Sequence, residues 1–404
     1  VTGEMRQGFS KVDDKFEASF HVPENPNGVT LNLENPNTME GMLKEKLLDD
    51  DEDSVVAAVS TSRESKTTTV ASGMGGVGKT CALRAIGRER SVQELFTGGV
   101  YWMSFGQNAD DAHVVGQLAE VVEESGGLQT SEKIREEVSV DKAVGKARRW
   151  FASKCCLFLC DDLWKTESGP RGYFHKLKSL VDEGSGSRVL CSTRDRAIAK
   201  LVGKGRIVQF SQRSAEEAKR IICQCADFEA TDIESFDERV QEAFNFVVTR
   251  CGGLPLALSA AGGAVKELAE FAKPRANAWI CYKQRLDDAS GIVNLIEDDT
   301  EDHCGLSSAL MASLTLADER LKKVLQGESA QRMHRALCVL QKQEWLPNGV
   351  LSRLWNVSSG TVMWVAEEFR RLYLVELENR SFGDQIVMGL KVHDLIHDFC
   401  VREA

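Results

Sequence analysis

The sequence predicts an α/β fold: a parallel sheet covered by helices on both faces, then a helical domain, then a winged-helix domain. Three observations carry this. Short apolar runs (Thr67–Ala71, Gly99–Met103, Cys155–Cys160, Arg188–Cys191 and Arg206–Phe210) alternate with stretches of helical periodicity. Uninterrupted apolar strands joined by helical crossovers belong in a parallel sheet buried on both faces. A glycine-rich segment separates the first run from a helix, and after Phe210 the apolar runs give way to helices.

In chain order, residues 1–54 read as a linker or lead-in, punctuated by Pro23, Pro26, Gly28 and Pro36. Met39 to Leu48 is its one periodic helix, and an acidic run, Asp49 to Asp53, closes it. Residues 55–213 form the sheet domain. Within it Val114, Val115, Leu118, Val121 and Val122 recur at helical spacing between Ala112 and Glu124, and Thr80 to Ile86 forms a shorter helix. Residues 214–302 form the helical domain. Ser214-Ala215-Glu216-Glu217 is a capping-box signature whose helix turns Ile221 and Ile222 inward. Further helices span roughly Asp237–Arg250, Leu254–Glu270 and Ala276–Asp287, and the acidic stretch Glu297 to Asp302 marks a hinge. Residues 303–404 read helix, helix, helix, then a strand pair around Glu376–Glu378 and Gln385–Val392, an order that suits a winged helix. No repeat with a period of about 20–50 residues occurs.

Composition bounds the function. The chain has 404 residues, enough for about two to four domains. It is 42% apolar and 27% charged, which excludes disordered, collagenous and coiled-coil chains. Fifty Lys and Arg face 61 Asp and Glu, a net charge of −11, and that balance argues against a body built to hold nucleic acid or an anionic membrane. No apolar run nears the roughly 20 residues that span a bilayer, so no membrane span and a cytoplasmic protein are expected. The twelve cysteines are scattered, with no C-x-x-C pair, and read as buried thiols of a reducing compartment. Val1 in place of Met leads us to expect a piece of a longer chain.

The strongest signal is Gly73-Met74-Gly75-Gly76-Val77-Gly78-Lys79-Thr80, which fits G-x-x-x-x-G-K-[ST] in full between a strand and a helix. The glycines let the backbone fold into a nest of N–H donors, and the helix N-terminus adds its partial positive charge. Lys79 reaches the β- and γ-phosphates, and Thr80 offers a hydroxyl to Mg²⁺. The nucleotide-binding set is Gly73, Met74, Gly75, Gly76, Val77, Gly78, Lys79, Thr80 and Cys81. The fold class is therefore that of a P-loop NTPase.

The buried run Cys155–Cys160 ends in Asp161-Asp162-Leu163-Trp164. A carboxylate at the tip of an apolar strand has little structural use unless it holds a cation. Asp161 is assigned with Thr80 to Mg²⁺, and Asp162 to polarising the attacking water. The next run ends Ser192-Thr193-Arg194. A cation there can contact the γ-phosphate and tell ATP from ADP, so Arg194 joins both the catalytic and the nucleotide-binding set. Guanine recognition needs N-K-x-D, which Ser192-Thr193-Arg194-Asp195 does not supply. Adenine is the expected base, with ADP/ATP and Mg as cofactors.

With Gly253-Leu254-Pro255-Leu256-Ala257-Leu258 and Val392-His393-Asp394 added, five motifs stand in an order that resembles the NB-ARC module of the STAND ATPases. Plant disease-resistance proteins and apoptotic protease-activating factors are its best-known members. The resemblance covers about residues 55–400. It implies a switch, closed with ADP and opening with ATP to self-associate into an oligomer, with weak ATP hydrolysis resetting it. It implies that Pro255 lies against the adenine ring and that His393 reaches the β-phosphate of ADP. It also implies an N-terminal effector domain and a C-terminal sensor in the full-length protein. Val392 stands where the family has Met, and the other adenine wall is expected near Val29–Leu31. The alternative reading is a STAND-type transcription regulator using its winged helix on DNA. Residues 305–404 hold 12 basic and 12 acidic side chains, so no electrostatic footprint supports nucleic acid as a partner.

Overall fold

Strands that are apolar on both faces need cover on both sides, and the run Cys156-Leu157-Phe158-Leu159-Cys160 sits deep in such a sheet. The computed structural model describes residues 20–22, 30–48, 68–106, 109–164, 172–181, 185–203, 206–296, 304–325, 328–339, 345–382 and 385–403. The acidic runs Asp49–Asp53 and Glu297–Asp302, and Val29, lie outside them. By contact the chain divides into two units. The first holds the described residues up to Ser211 except Gly75–Val77; the second holds Gly75–Val77 and the described residues from Gln212 onward.

The first unit is built on six strands: β1 (Phe20–His21), β2 (Thr68–Ser72), β3 (Gly99–Ser104), β4 (Cys156–Leu163), β5 (Arg188–Thr193) and β6 (Ile207–Gln209). They pair in the order β1-β3-β4-β5-β2-β6, every neighbouring pair parallel. All eight residues of β4 are buried. Phe158 stacks with Tyr101 of β3 at 6.0 Å and meets Phe151 edge-on at 5.1 Å. Each such ring contributes about 1.5–3 kcal/mol by leaving water. The expected helix over 112–124 is present as Asp111–Glu124, with Asp110 capping it through His113 N.

Two features go beyond the sequence reading. The lead-in contributes a strand as well as its helix: β1 extends the sheet beside β3, while Met39–Leu48 packs on β2 and β6 through buried Leu43 and Leu47. The strand expected to stop at Cys160 continues through Asp161 and Asp162 to Leu163. It does so with Asp162 at φ 55° and a shift in its register against β5 between Cys160 and Leu163. Eleven cysteines have described side chains, and among the described residues none forms a disulfide. Burial raises the thiol pKa of Cys160 and Cys191 well above the ordinary range.

The second unit opens with the expected capping box. Ser214 Oγ accepts from Glu217 N while Glu217 reaches back to Ser214 N, starting the helix Ala215–Ala226. Helices Glu238–Arg250, Pro255–Ala269, Ala278–Ile296 and Cys304–Leu325 follow. Trp279 and Phe244, both buried, meet edge-on at 4.9 Å in their core. The helix expected over 276–287 runs on to Ile296. Arg320 joins three helices, with Nη2 2.6 Å from Glu267 and Nε 2.5 Å from Glu368. Further on, β8 (Glu376–Phe382) and β9 (Gln385–Lys391) form the expected antiparallel pair. A short strand, β7 (Trp345–Pro347), adds to the far side of β9. Helices Ala330–Ala336, Asn348–Trp355, Ser359–Arg371 and Asp394–Glu403 accompany this sheet.

Candidate functional site

The glycine-rich loop leaves β2 and enters the helix Lys79–Arg88. Gly78, its N-cap, has φ 93°, a conformation that a side chain disfavours. At the other end a Cβ on Gly73 would lie 2.3 Å from Phe210 O, so the chain crosses there only without a side chain. Lys79 is buried, and its Nζ donates to Gly73 O at 2.8 Å and to Met74 O at 2.7 Å. The ammonium is thus curled over the loop that the sequence assigns to phosphate. Met74, Gly75, Gly76, Val77 and Cys81 occupy the remaining positions of that loop and of the first turn of the helix.

From β2 the helix brings Thr80 to β4. Thr80 Oγ1 donates to Asp161 Oδ1 at 3.0 Å, and Ser192 Oγ of β5 donates to the same oxygen at 2.5 Å. Asp161 is 5% exposed. Burial and the adjacent Asp162 push its carboxyl pKa up, against Ser192, Arg84 and Thr80, which hold it down. Asp162 is also buried. Its N–H donates to Ser192 Oγ at 2.9 Å, and its Oδ1 lies 3.4 Å from Arg194 Nε. The Arg194 guanidinium stands 5.4 Å from the centre of the Trp164 ring.

These residues suit a nucleotide with its metal. A hydroxyl and a buried carboxylate meet beside a loop of backbone N–H donors and a lysine, which is the donor set that P-loop enzymes present to phosphate and Mg²⁺. Thr80 and Asp161 are the pair that would hold the ion. Among the described residues no group of three or more His, Cys, Asp or Glu forms a metal cluster of its own.

In the second unit, Gly252 and Gly253 turn the chain at φ 59° and 68° just ahead of Pro255, the first residue of its helix. Arg213 N donates to Gly253 O at 2.8 Å, and a Cβ on Gly253 would fall 2.6 Å from Arg213 O. His393 precedes the helix Asp394–Glu403 and is half-buried. Leu395 N donates to its Nδ1 at 3.2 Å, so a neutral ring carries its proton on Nε2.

Sequence reasoning gave no role to Ser192, Thr193 or Trp164. Ser192 and Thr193 stood in the quoted strand end, and two consecutive hydroxyls at the tip of an apolar run are the signal that was there to read. Thr193 Oγ1 donates to Leu163 O at 2.6 Å, so residues 192–194 together hold all of 161–163.

Residues 48–231 match the family model of the NB-ARC domain. Apoptotic protease-activating factor 1 of Danio rerio is 27% identical over 338 residues, covering 82% of this chain and 24% of that protein. Disease resistance RPP13-like protein 4 of Arabidopsis thaliana is 20% identical over 342 residues, covering 82% of this chain and 36% of that protein. This chain therefore spans about a quarter to a third of the curated relatives it matches. Among solved structures, a Signal Transduction ATPase with Numerous Domains protein from Pyrococcus horikoshii aligns over 84% of this chain and 40% of its own. Its TM-score is 0.49 and its identity 15%. Residues 48–231 therefore match the NB-ARC domain, and over most of its length the chain is similar to an apoptotic protease-activating factor and to plant disease-resistance proteins.

Proposed function

We propose that this chain is the nucleotide-operated switch of a cytoplasmic signalling protein in immune or cell-death responses. It is closed with ADP, opens with ATP to self-associate, and returns by slow hydrolysis. The observation that carries the reading is the meeting of Thr80 with the buried Asp161 at 3.0 Å, next to a lysine folded over its own glycine loop. The names of the relatives, an apoptotic factor and a disease-resistance protein, support the signalling context.

In this reading Lys79 exchanges its two loop carbonyls for phosphate oxygens, and the N–H groups of the loop through Cys81 share the load. Thr80 and Asp161 hold Mg²⁺, whose contribution is to neutralise charge on the triphosphate. Asp162 polarises the attacking water, Arg194 reads the γ-phosphate, and Pro255 lies against the adenine. His393, whose Nε2 is the protonated nitrogen of the neutral ring, donates to the β-phosphate of ADP. A ligand shifts a two-state equilibrium only by its differential contact with the two states, and His393 supplies that difference. Effector and sensor domains belong to the longer protein.

The test is to release and chromatograph the nucleotide carried by the purified chain, then compare scattering profiles with ADP and with ATP. Bound ADP, and a larger species with ATP, are expected. His393→Ala should release ADP faster in a stopped-flow chase. A chain that binds neither adenylate, or profiles that coincide, would overturn the reading. Retardation of a DNA duplex instead would favour a transcription regulator.

A further inference from the structure

We propose that Ser192 is a positioning residue for the metal-side carboxylate, holding Asp161 in the aim that Mg²⁺ binding needs. The proposal rests on the reading that Thr80 and Asp161 hold the ion. Ser192 is 1% exposed and lies in β5, the neighbour of β4. Its hydroxyl accepts from Asp162 N–H at 2.9 Å and donates to Asp161 Oδ1 at 2.5 Å. A serine hydroxyl has one proton to give, and the amide on its lone pair leaves that proton directed at Asp161.

Among the described residues, both hydrogen bonds to the Asp161 side chain fall on Oδ1, from Ser192 and from Thr80. Oδ2 is the oxygen left for an ion or its water. Were Thr80 to give its hydroxyl to the ion, Ser192 would be the hydroxyl remaining on Asp161. A charge-assisted bond from a buried hydroxyl fixes the aim of the carboxylate. Thr193 and Arg194 hold Leu163 and Asp162 in the same stretch, so the carboxylate is clamped at a place where the β4–β5 register breaks.

The experiment compares ATP affinity in Mg²⁺ and in EDTA by calorimetry for the wild type, Ser192→Ala and Ser192→Thr. A parallel titration with Mn²⁺, read by electron paramagnetic resonance, follows the ion directly. In Ser192→Ala the gain in affinity brought by the metal should fall about tenfold and the Mn²⁺ signal should weaken in step. Affinity in EDTA should stay within about twofold, and Ser192→Thr should restore the gain. An undiminished metal gain in Ser192→Ala overturns the proposal. Equal losses with and without metal also overturn it, because they mark a packing role. If Ser192→Ala does not fold, Ser192→Cys, close in volume and a weak donor, is read the same way. Failure of the wild type to bind ATP at all counts against the nucleotide site instead.

Discussion

Arg194 Nε lies 3.4 Å from Asp162 Oδ1, and the rest of the guanidinium leans on Trp164. The arginine is 17% exposed and the aspartate 6%, so the pair is partly shielded from water and screened less than a surface pair. A planar guanidinium can pair and stack at once, which an ammonium cannot.

For that reason Arg194→Lys should behave like Arg194→Ala. Both should lower the preference for ATP over ADP by about tenfold, the scale of one charge-assisted hydrogen bond. Isothermal titration with each nucleotide checks it, and an unchanged ratio removes Arg194 from sensing.

Lys79→Ala should weaken ADP and ATP binding by about 10- to 100-fold, from loss of about 1.5–3 kcal/mol of charged hydrogen bonds. The loop retains its backbone donors, so binding should be weak but measurable. Calorimetry decides; wild-type affinity in this variant is the contrary outcome.

His334 supplies a pH dependence. It is fully buried, with Nδ1 3.2 Å from Cys400 Sγ and its ring edge-on to Phe369. Burial holds its pKa at about 4, below the ordinary 6.5. The native ring stays neutral while the unfolded chain takes up a proton. Its contribution is therefore complete above pH 6.5 and is lost as pH falls towards 4, by about 3 kcal/mol. Thermal melts between these limits should show the slope, and His334→Leu should flatten it.

Gly253→Ala should destabilise the second unit by about 1–3 kcal/mol. Its φ of 68° disfavours a side chain, and the new methyl would meet Arg213 O. Gly252 has φ 59° but open space around its Cβ position, so Gly252→Ala should cost less. Chemical denaturation of the two variants gives the comparison.

The glycine loop, the acids after Cys160 and the capping box at Ser214 were legible because each places its chemistry within a few consecutive residues. Helix interiors were legible too: Val114, Val115 and Leu118 fall on one buried face, as their spacing predicts. What stayed hidden depends on distant partners. β1 is two residues long and exists by pairing with Val100 and Tyr101, far along the chain. β7 is three residues on the far side of β9. The continuation of β4 through Asp162 needs Ser192, Thr193 and Arg194, about thirty positions later, and no local propensity favours an aspartate at positive φ.

The sheet order has its own consequence. β5 makes the rail between the track that launches the glycine loop and the track that bears the acids, since it pairs with β2 on one side and β4 on the other. Wear at this rail is transmitted to both tracks together. Substitutions buried in β5, such as at Leu190 or Cys191, would put lysine and aspartates out of gauge without touching either one.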